Sequence, residues 1–587
     1  MVYTTTPIIL SESNLRMLDC IIKENDLIDY AIKLGLSGVA ITDHESVSSY
    51  IKALNYFDSL QRKALKVLEN EESPQELVEW ATRVKNFKLA LGNEIYLCRD
   101  GLNAKNYEKG KDKYFHFILI AKDKVGNDQI RLLSSRAWSR SFYQFIERVP
   151  TYYSDIEEII GSNPGHVIAS TACLGGQLAN FINSGDFEKA KNFATWCSSI
   201  FGEDNFFLEF QPGEDEEQIK FNKLLCEFCK NNPEFKWIVS TDAHYLRQED
   251  RPIHKAFLNS DGESDRETDK FYATTYLMDE DEIRERLSYL PKDFVEQSLS
   301  NTNLIYNKIE QYSLKHKQII PRIPLDFSSL GELTCNYRGY PYITKFFESE
   351  YEEDNYFIAT IWKRAKEENL LDEPHLKRIE EECEEIWVVS EKIQERLSAY
   401  FTTMSKIIDI GWTKGDTLIG PWRGSVGGSL CAYLSGIIQR DPLKSPTPLY
   451  AWRFISRGRA ELADIDFDTQ ASKREFFIKE VEKYFVSIGG ELTAVATFGT
   501  ETSKAALVTA VRGLGYEPEL GTYLSSLIPI DRGKVRDLKS CYFGNEEKGW
   551  PPVSTFVAEM DNYPDVWEVA QGIEGLISRR GRHKCLL

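Results

Sequence analysis

The sequence predicts an α/β protein of several domains, and three observations carry that prediction. From Met1 to about residue 280, short β-rich apolar runs alternate with amphipathic helical stretches, the pattern of a parallel sheet or barrel wrapped by helices. Helical periodicity then takes over from about residue 281 to 400. Beyond it, residues 461–470 read E-L-A-D-I-D-F-D-T-Q, where polar and apolar residues alternate strictly enough to predict a strand.

The 587 residues, 42% hydrophobic and 12% aromatic, suffice for about three or four cores. A net charge of −20 excludes a uniformly basic nucleic-acid binder, so any phosphate contacts must be local. The acidic clusters Glu214–Glu217, Glu352–Asp354 and Glu380–Glu385 read as solvated helix faces. Eleven cysteines include one C-x-x-C pair, Cys226 and Cys229, on a helical stretch without a second pair nearby, which predicts reduced thiols. No run of about 18 apolar residues and no secretion signal is present, so the expected setting is cytoplasmic and away from membranes.

In the first part, the apolar runs are G-V-A-I-T-D-H at 38–44, L-A-L-G-N-E-I-Y-L at 89–97, H-F-I-L-I-A at 116–121, H-V-I-A-S-T-A-C at 166–173 and W-I-V-S-T-D-A-H at 237–244. Ligand-type residues sit at their ends: Asp43, His44, Glu94, Cys173, Asp242 and His244, with His116 at a strand start. Strand ends that share one mouth are where metal and catalytic groups collect. A histidine alone at such a place is more often structural than a ligand; the gathering of several predicts a site.

Further along, G-P-W-R-G-S-V-G-G-S-L at 420–430 runs into a helical stripe of Leu430, Tyr433, Leu434 and Ile437. Glycines let backbone N–H groups converge, and a helix N-terminus adds partial positive charge, which predicts a phosphate cradle. The spacing is not that of a P-loop. Arg453, Arg457 and Arg459 follow and are of the type that binds phosphate bidentately. In the alternating run, Asp464, Asp466 and Asp468 share one face roughly 7 Å apart, with Ile465 and Phe467 on the other. In a cleft such carboxylates call for a cation, Mg²⁺ being the natural one; on an open surface the same run is a solvated edge strand.

The Gly-rich run, D-P-L at 441–443, W-R-F-I-S-R-G-R at 452–459, A-D-I-D-F-D at 463–468 and T-F-G-T at 497–500 together resemble the palm and early thumb of the C-family bacterial replicative polymerase, the DNA polymerase III alpha subunit. T-D-H, G-N-E, H-F-I-L-I-A, T-A-C-L-G-G and T-D-A-H-Y resemble the polymerase and histidinol phosphatase (PHP) domain that begins those proteins. The resemblance implies a PHP-type β/α barrel over 1–280, a nucleotidyltransferase-like palm with a helical insertion over 281–496, a helical thumb over 497–571 and the start of a palm return over 572–587. It implies that Asp466 and Asp468 are catalytic metal ligands, with Asp464 a further acidic position. Arg423, Gly424, Ser425, Arg453 and Arg459 match nucleotide-binding positions, and Lys504 and Arg512 are available for DNA phosphates. Two departures stand out: Ala463 and S-R-G-R replace the family's proline and N-P-E-R, and P-I-I-L-S-E-S at 7–13 replaces its first paired His-x-His. Without those imidazoles at least one metal position is weakened, so the PHP-like ligands, for Zn²⁺ or Mn²⁺, are expected to serve a mainly structural domain.

The implied function is DNA synthesis from dNTPs on primer-template DNA by two-metal catalysis. The alternatives are a non-catalytic DNA-binding scaffold and a metal-dependent phosphoesterase or exonuclease in the first domain. Where the family continues H-A-A-G towards a third aspartate, this sequence reads H-K-C-L-L, which predicts a split or truncated polymerase, or an intein at Cys585. A second polypeptide would then supply the rest of palm and fingers and bind the sliding clamp.

Overall fold

The structure, a computed structural model, describes residues 2–4 and 20–582 except 145, 261–269, 318, 331–338, 460, 494 and 532. The 7–13 stretch and Cys585, to which the sequence drew attention, lie outside the described residues. The chain forms two compact units: Met1–Leu314 with Ala496–Arg582, and Lys315–Val495.

The first unit is built on an eight-stranded sheet curled into a half-barrel. Its strands are β1 (Val2–Thr4), β2 (Gly38–His44), β3 (Lys88–Cys98), β4 (Phe115–Ala121), β5 (Thr151–Tyr152), β6 (Val167–Ser170), β7 (Phe206–Phe210) and β8 (Lys236–Val239). They run in the order β1-β2-β3-β4-β6-β7-β8, with β5 pairing the end of β3. Every residue of β2, β6 and β7 is buried, as expected of strands covered on both faces, whose sequences read as continuous apolar runs. The all-parallel pairing expected from the sequence is corrected in one place: β4 is antiparallel to both β3 and β6. A parallel neighbour needs a crossover, usually helical, and residues 99–114 form only turns, so β4 returns antiparallel. Gly92 is required where these strands meet, since a Cβ there would lie 2.5 Å from the Leu119 carbonyl oxygen.

Ala496–Arg582 contributes an antiparallel pair, Ala496–Thr500 with Ile577–Arg582, and a set of helices. Leu507, Val511 and Ile573 share a core with Ile253 and Phe257 of the Arg251–Asn259 helix. Packing is close enough that a Cβ on Gly513 would fall 1.9 Å from the Ala256 carbonyl oxygen.

The second unit is helical, and among its described residues there is no strand. Glu352–Glu367, Glu373–Ile393 and Leu397–Thr413 enclose a core of Phe357, Ile361, Ile379, Ile386 and Phe401, against which Leu430, Leu434 and Ile437 of the predicted stripe pack. The helix after the Gly-rich run is short, Leu430–Leu434, and ends at Gly436 in the left-handed region.

Two of the acidic clusters are corrected. Asp354 is fully buried, paired with Arg396 at 2.6 Å and hydrogen-bonded by Ser398 and Ser349. In Glu380–Glu385, Glu380 accepts the Tyr342 and Ile343 amides at the start of the Pro341–Phe347 helix, and Glu382 is buried. Composition marks a charged helix, whereas neighbouring loops decide which charges become caps. Glu214, Glu216 and Glu217 are exposed, as expected. Cys226 and Cys229 are buried and unbridged. No helix among the described residues is long and apolar enough to cross a membrane.

Candidate functional site

In the first unit, strand register gathers the ligand-type residues. His44 stands beside Glu94 across the parallel β2–β3 pair. His116 stands opposite Tyr96 on β4, so it reaches Glu94 diagonally on the same face. His116 Nδ1 donates to Glu94 Oε1 at 2.6 Å, and His44 Nδ1 lies 3.6 Å from the same oxygen. Cys173 Sγ is 3.5 Å from His116 Nδ1. The ligand atoms of His44, Glu94 and His116 all fall within 4.8 Å of one another, a spacing that suits a metal ion. His44 Nδ1 is buried without a hydrogen-bond partner, an orphan that a cation would satisfy, and two imidazoles with a carboxylate suit Zn²⁺ or Mn²⁺.

The electrostatics divide the two imidazoles. Burial, with His116 and His244 nearby, holds His44 well below its ordinary value. Burial opposes charge on His116 too, yet Cys173 and Glu94 raise it well above its ordinary value. The Glu94 carboxyl is itself pushed up by burial against the pull of His116. Three non-glycine residues at this mouth, Glu45, Ala172 and Asp242, adopt left-handed backbone with φ of 50°, 57° and 45°. Such conformations persist only where the surroundings enforce them. His244 Nδ1 is 2.7 Å from the Asp242 carbonyl oxygen and 4.0 Å from its carboxylate. Asp43, one residue before His44 and therefore on the opposite face of β2, accepts a hydrogen bond from Ser49.

Buried acids that the sequence did not single out include Glu45 and Glu209. Glu209 on β7 is fully buried, accepts hydrogen bonds from Ser170 and Ser240, and is pushed up to about 7 by burial. Its signal was a lone carboxylate inside the apolar run F-F-L-E-F.

In the second unit, Gly420 N donates to the Asp468 carbonyl at 2.8 Å and Gln470 N to the Leu418 carbonyl at 3.1 Å, around an antiparallel Ile419–Thr469 bridge. Asp464–Asp468 is extended but forms no ladder, which corrects the expected strand. Its alternation survives: Asp464, Asp466 and Asp468 are exposed, while Ile465 and Phe467 pack against the core. A period of two dictates an extended chain, and a strand needs a partner as well; here the Ala463 carbonyl is taken by the Tyr400 hydroxyl instead.

The short pairing brings the Gly-rich loop against the carboxylates. Gly424 has φ 65°, and a Cβ there would sit 3.1 Å from Asp466 Oδ2. Arg423 donates to Asp468 Oδ1 at 2.9 Å, and Ser425, exposed, opens a 3₁₀ turn, Ser425–Gly428, whose other three residues are buried. Arg453 and Arg459 are exposed, the latter donating to the Arg453 carbonyl at 3.1 Å, and neither pairs with the three aspartates among the described residues. Arg457 turns away to Glu385 and Glu384, at 2.8 and 3.1 Å. The predicted cradle at the helix N-terminus is corrected: the Leu430 and Cys431 amides donate to Glu382, at 2.8 and 2.9 Å, so a protein carboxylate already fills the place of the anion.

With both arrangements in view, comparison with known proteins is decisive. Residues 11–213 match the PHP domain, and residues 354–586 match the bacterial DNA polymerase III alpha NTPase domain. The chain is 40% identical over 600 aligned residues to "Probable DNA polymerase YorL" of Bacillus subtilis and equally to "DNA-directed DNA polymerase" of Bacillus phage SPbeta. The chain thus carries a PHP domain and a DNA polymerase III alpha NTPase domain, and its relatives carry the names of DNA polymerases. Its 28% identity to the DNA polymerase III subunit alpha of Thermus aquaticus covers 83% of this chain and 41% of that protein. The Bacillus and SPbeta alignments take in 97% of this chain but 44% of the relatives, so the chain spans less than half the length of the family members it matches. Lys504 and Arg512, on the Ser503–Gly513 helix, are half-buried and exposed respectively, without an ion pair among the described residues.

Proposed function

We propose that this chain supplies the metal- and nucleotide-binding part of a template-directed DNA polymerase acting in the cytoplasm on primer-template DNA and dNTPs. The observation that carries the reading is the apposition of Gly424 and Arg423 to Asp466 and Asp468 in the region that matches the DNA polymerase III alpha NTPase domain. Asp466 and Asp468 hold divalent metal; Arg423, Gly424 and Ser425 face the triphosphate, with Arg453 and Arg459 closing on it. Mg²⁺ bound there supplies charge neutralisation for nucleotidyl transfer, as in two-metal sites generally. Arg423 keeps the Asp468 carboxylate compensated before metal arrives.

The rest of the polymerase, continuous with these residues or on a second polypeptide, carries the remaining palm and fingers and engages the sliding clamp. The PHP-like cluster binds Zn²⁺ or Mn²⁺ as a structural centre, and Ala496–Arg582 contributes Lys504 and Arg512 to DNA phosphates.

Titrating Mn²⁺ and dATP into the full chain tests the reading. The wild type binds both, and Asp466→Asn/Asp468→Asn loses the nucleotide-coupled metal; equal affinities in the two proteins would remove the assignment.

A further inference from the structure

The Gly-rich loop is held from behind by one stripe of the Glu373–Ile393 helix. Arg378, Glu382 and Glu385 recur at four- and three-residue spacing, so they share a face. Glu382, 4% exposed, accepts from Ser429 Oγ at 2.7 Å and from the Leu430 and Cys431 amides. Arg378 donates to Glu382 at 2.8 Å and bridges two backbone carbonyls, Gly428 at 2.6 Å and Leu449 at 2.9 Å. Gly428 packs so closely on the next segment that a Cβ would lie 3.1 Å from the Tyr450 carbonyl oxygen. Glu385 holds Arg457 between Arg453 and Arg459. Each segment that carries a nucleotide-facing residue is thus tied to this stripe or lies next to a segment that is.

We propose that Arg378 and Glu382 are positioning residues for nucleotide binding: together they fix the far end of the Gly424–Gly428 turn and the path into Arg453, so that the loop meets a triphosphate already shaped. The inference rests on the nucleotide-binding reading above. A buried carboxylate satisfying three donors, itself held by a guanidinium bound to two carbonyls, is rigid because removing any member leaves buried groups unpaired. Glu382→Gln turns amide hydrogens towards groups that are themselves donors. Arg378→Lys keeps the charge and cannot reproduce the fork across Gly428 and Leu449.

The test uses the full chain, with dATP and Mg²⁺ as probe and Mn²⁺ alone as control. In both variants the dATP Kd rises by roughly tenfold or more, the range in which outer partners of a site act, while Mn²⁺ affinity stays within about twofold because Asp466 and Asp468 are not tied to the stripe. Hydrogen exchange at the Gly427–Cys431 amides speeds up together with the loss of nucleotide affinity. Unchanged dATP affinity in a folded variant, or an equal loss for dATP and Mn²⁺, overturns the proposal. Should Glu382→Gln fail to fold, Arg378→Lys alone decides. Absence of dATP binding by the wild type is a different result, which overturns the nucleotide-binding reading itself and this inference with it.

Discussion

Glu94 and Asp466 are both candidate metal-binding carboxylates, in opposite surroundings. Glu94 lies 2% exposed within a sheet, where register alone puts His44 and His116 beside it. Asp466 is exposed on a segment without a ladder, and its neighbours are a loop glycine and, two residues on, an arginine-paired aspartate. The contrast shows two ways of making a site. A buried cluster is assembled by folding and changes little when its ligand arrives, whereas an exposed carboxylate run acquires its final geometry with the ligand, and its precision must come from the elements behind the loops.

The largest expected effect follows from that openness. In the presence of the remaining palm and fingers, Asp468→Ala lowers primer extension by about 100-fold or more, beyond the roughly 10–100-fold typical of an outer partner of a metal site. Wild-type extension surviving in Asp468→Ala would place the chemistry elsewhere.

The buried cluster should respond differently. In an Asp466→Asn/Asp468→Asn background, Glu94→Gln or His116→Ala weakens the remaining Zn²⁺ or Mn²⁺ binding by roughly 10-fold to 100-fold, with little effect on primer extension. Exonuclease assays on single-stranded DNA should stay at background. Metal-dependent nuclease activity that His244→Ala abolishes would show a catalytic rather than structural centre and erase the proposed difference between the regions.

Burial also makes the first unit pH-sensitive. Glu209 has an ordinary value of 4.5 and is pushed up to about 7 in the fold. Its folded value is raised, so below pH 4.5 both states hold the proton and its stability contribution is intact. Between about 4.5 and 7 the unfolded chain ionises first, and stability falls as pH rises, by about 3 kcal/mol at most. Glu209→Gln should flatten that window in the urea midpoint of the first unit; an unaltered slope would mean that Ser170 and Ser240 stabilise the ionised carboxylate.

Legibility differed between the regions for a physical reason. Strand-end ligands could be read because β-strands print their register as continuous apolar runs, and His44, Glu94 and His116 meet as the sheet requires. The antiparallel turn of β4 was hidden because an apolar run carries no mark of direction; only the lack of a helix at 99–114 betrays it. In the second unit, the alternation at 464–468 gave the correct faces but not the missing ladder. The role of Glu382 was unreadable, because Glu380–Glu385 has the composition of a solvated surface and its partners lie some fifty residues away. Glu209 could have been found by asking why an apolar strand contains a carboxylate.

The smallest effect concerns the Ser503–Gly513 helix. Lys504 and Arg512 are eight residues apart, which places them about 80° from each other around the Ser503–Gly513 helix, near enough for one phosphate backbone to meet both. The opposite face is fixed, with Ala506 and Ala510 buried in the core shared with Ile253 and Phe257, so replacing the two cations should leave the helix in place. A phosphate contact contributes to affinity through counterion release, at about 0.9 in the slope of log K against log salt for duplex DNA. Lys504→Ala/Arg512→Ala should therefore reduce the magnitude of that slope by about 2, weaken binding evenly across DNA sequences, and leave Mn²⁺ and dATP affinities unchanged. A slope identical to wild type would return both residues to a solvated helix face, and DNA contact would then have to come from other cations of the chain.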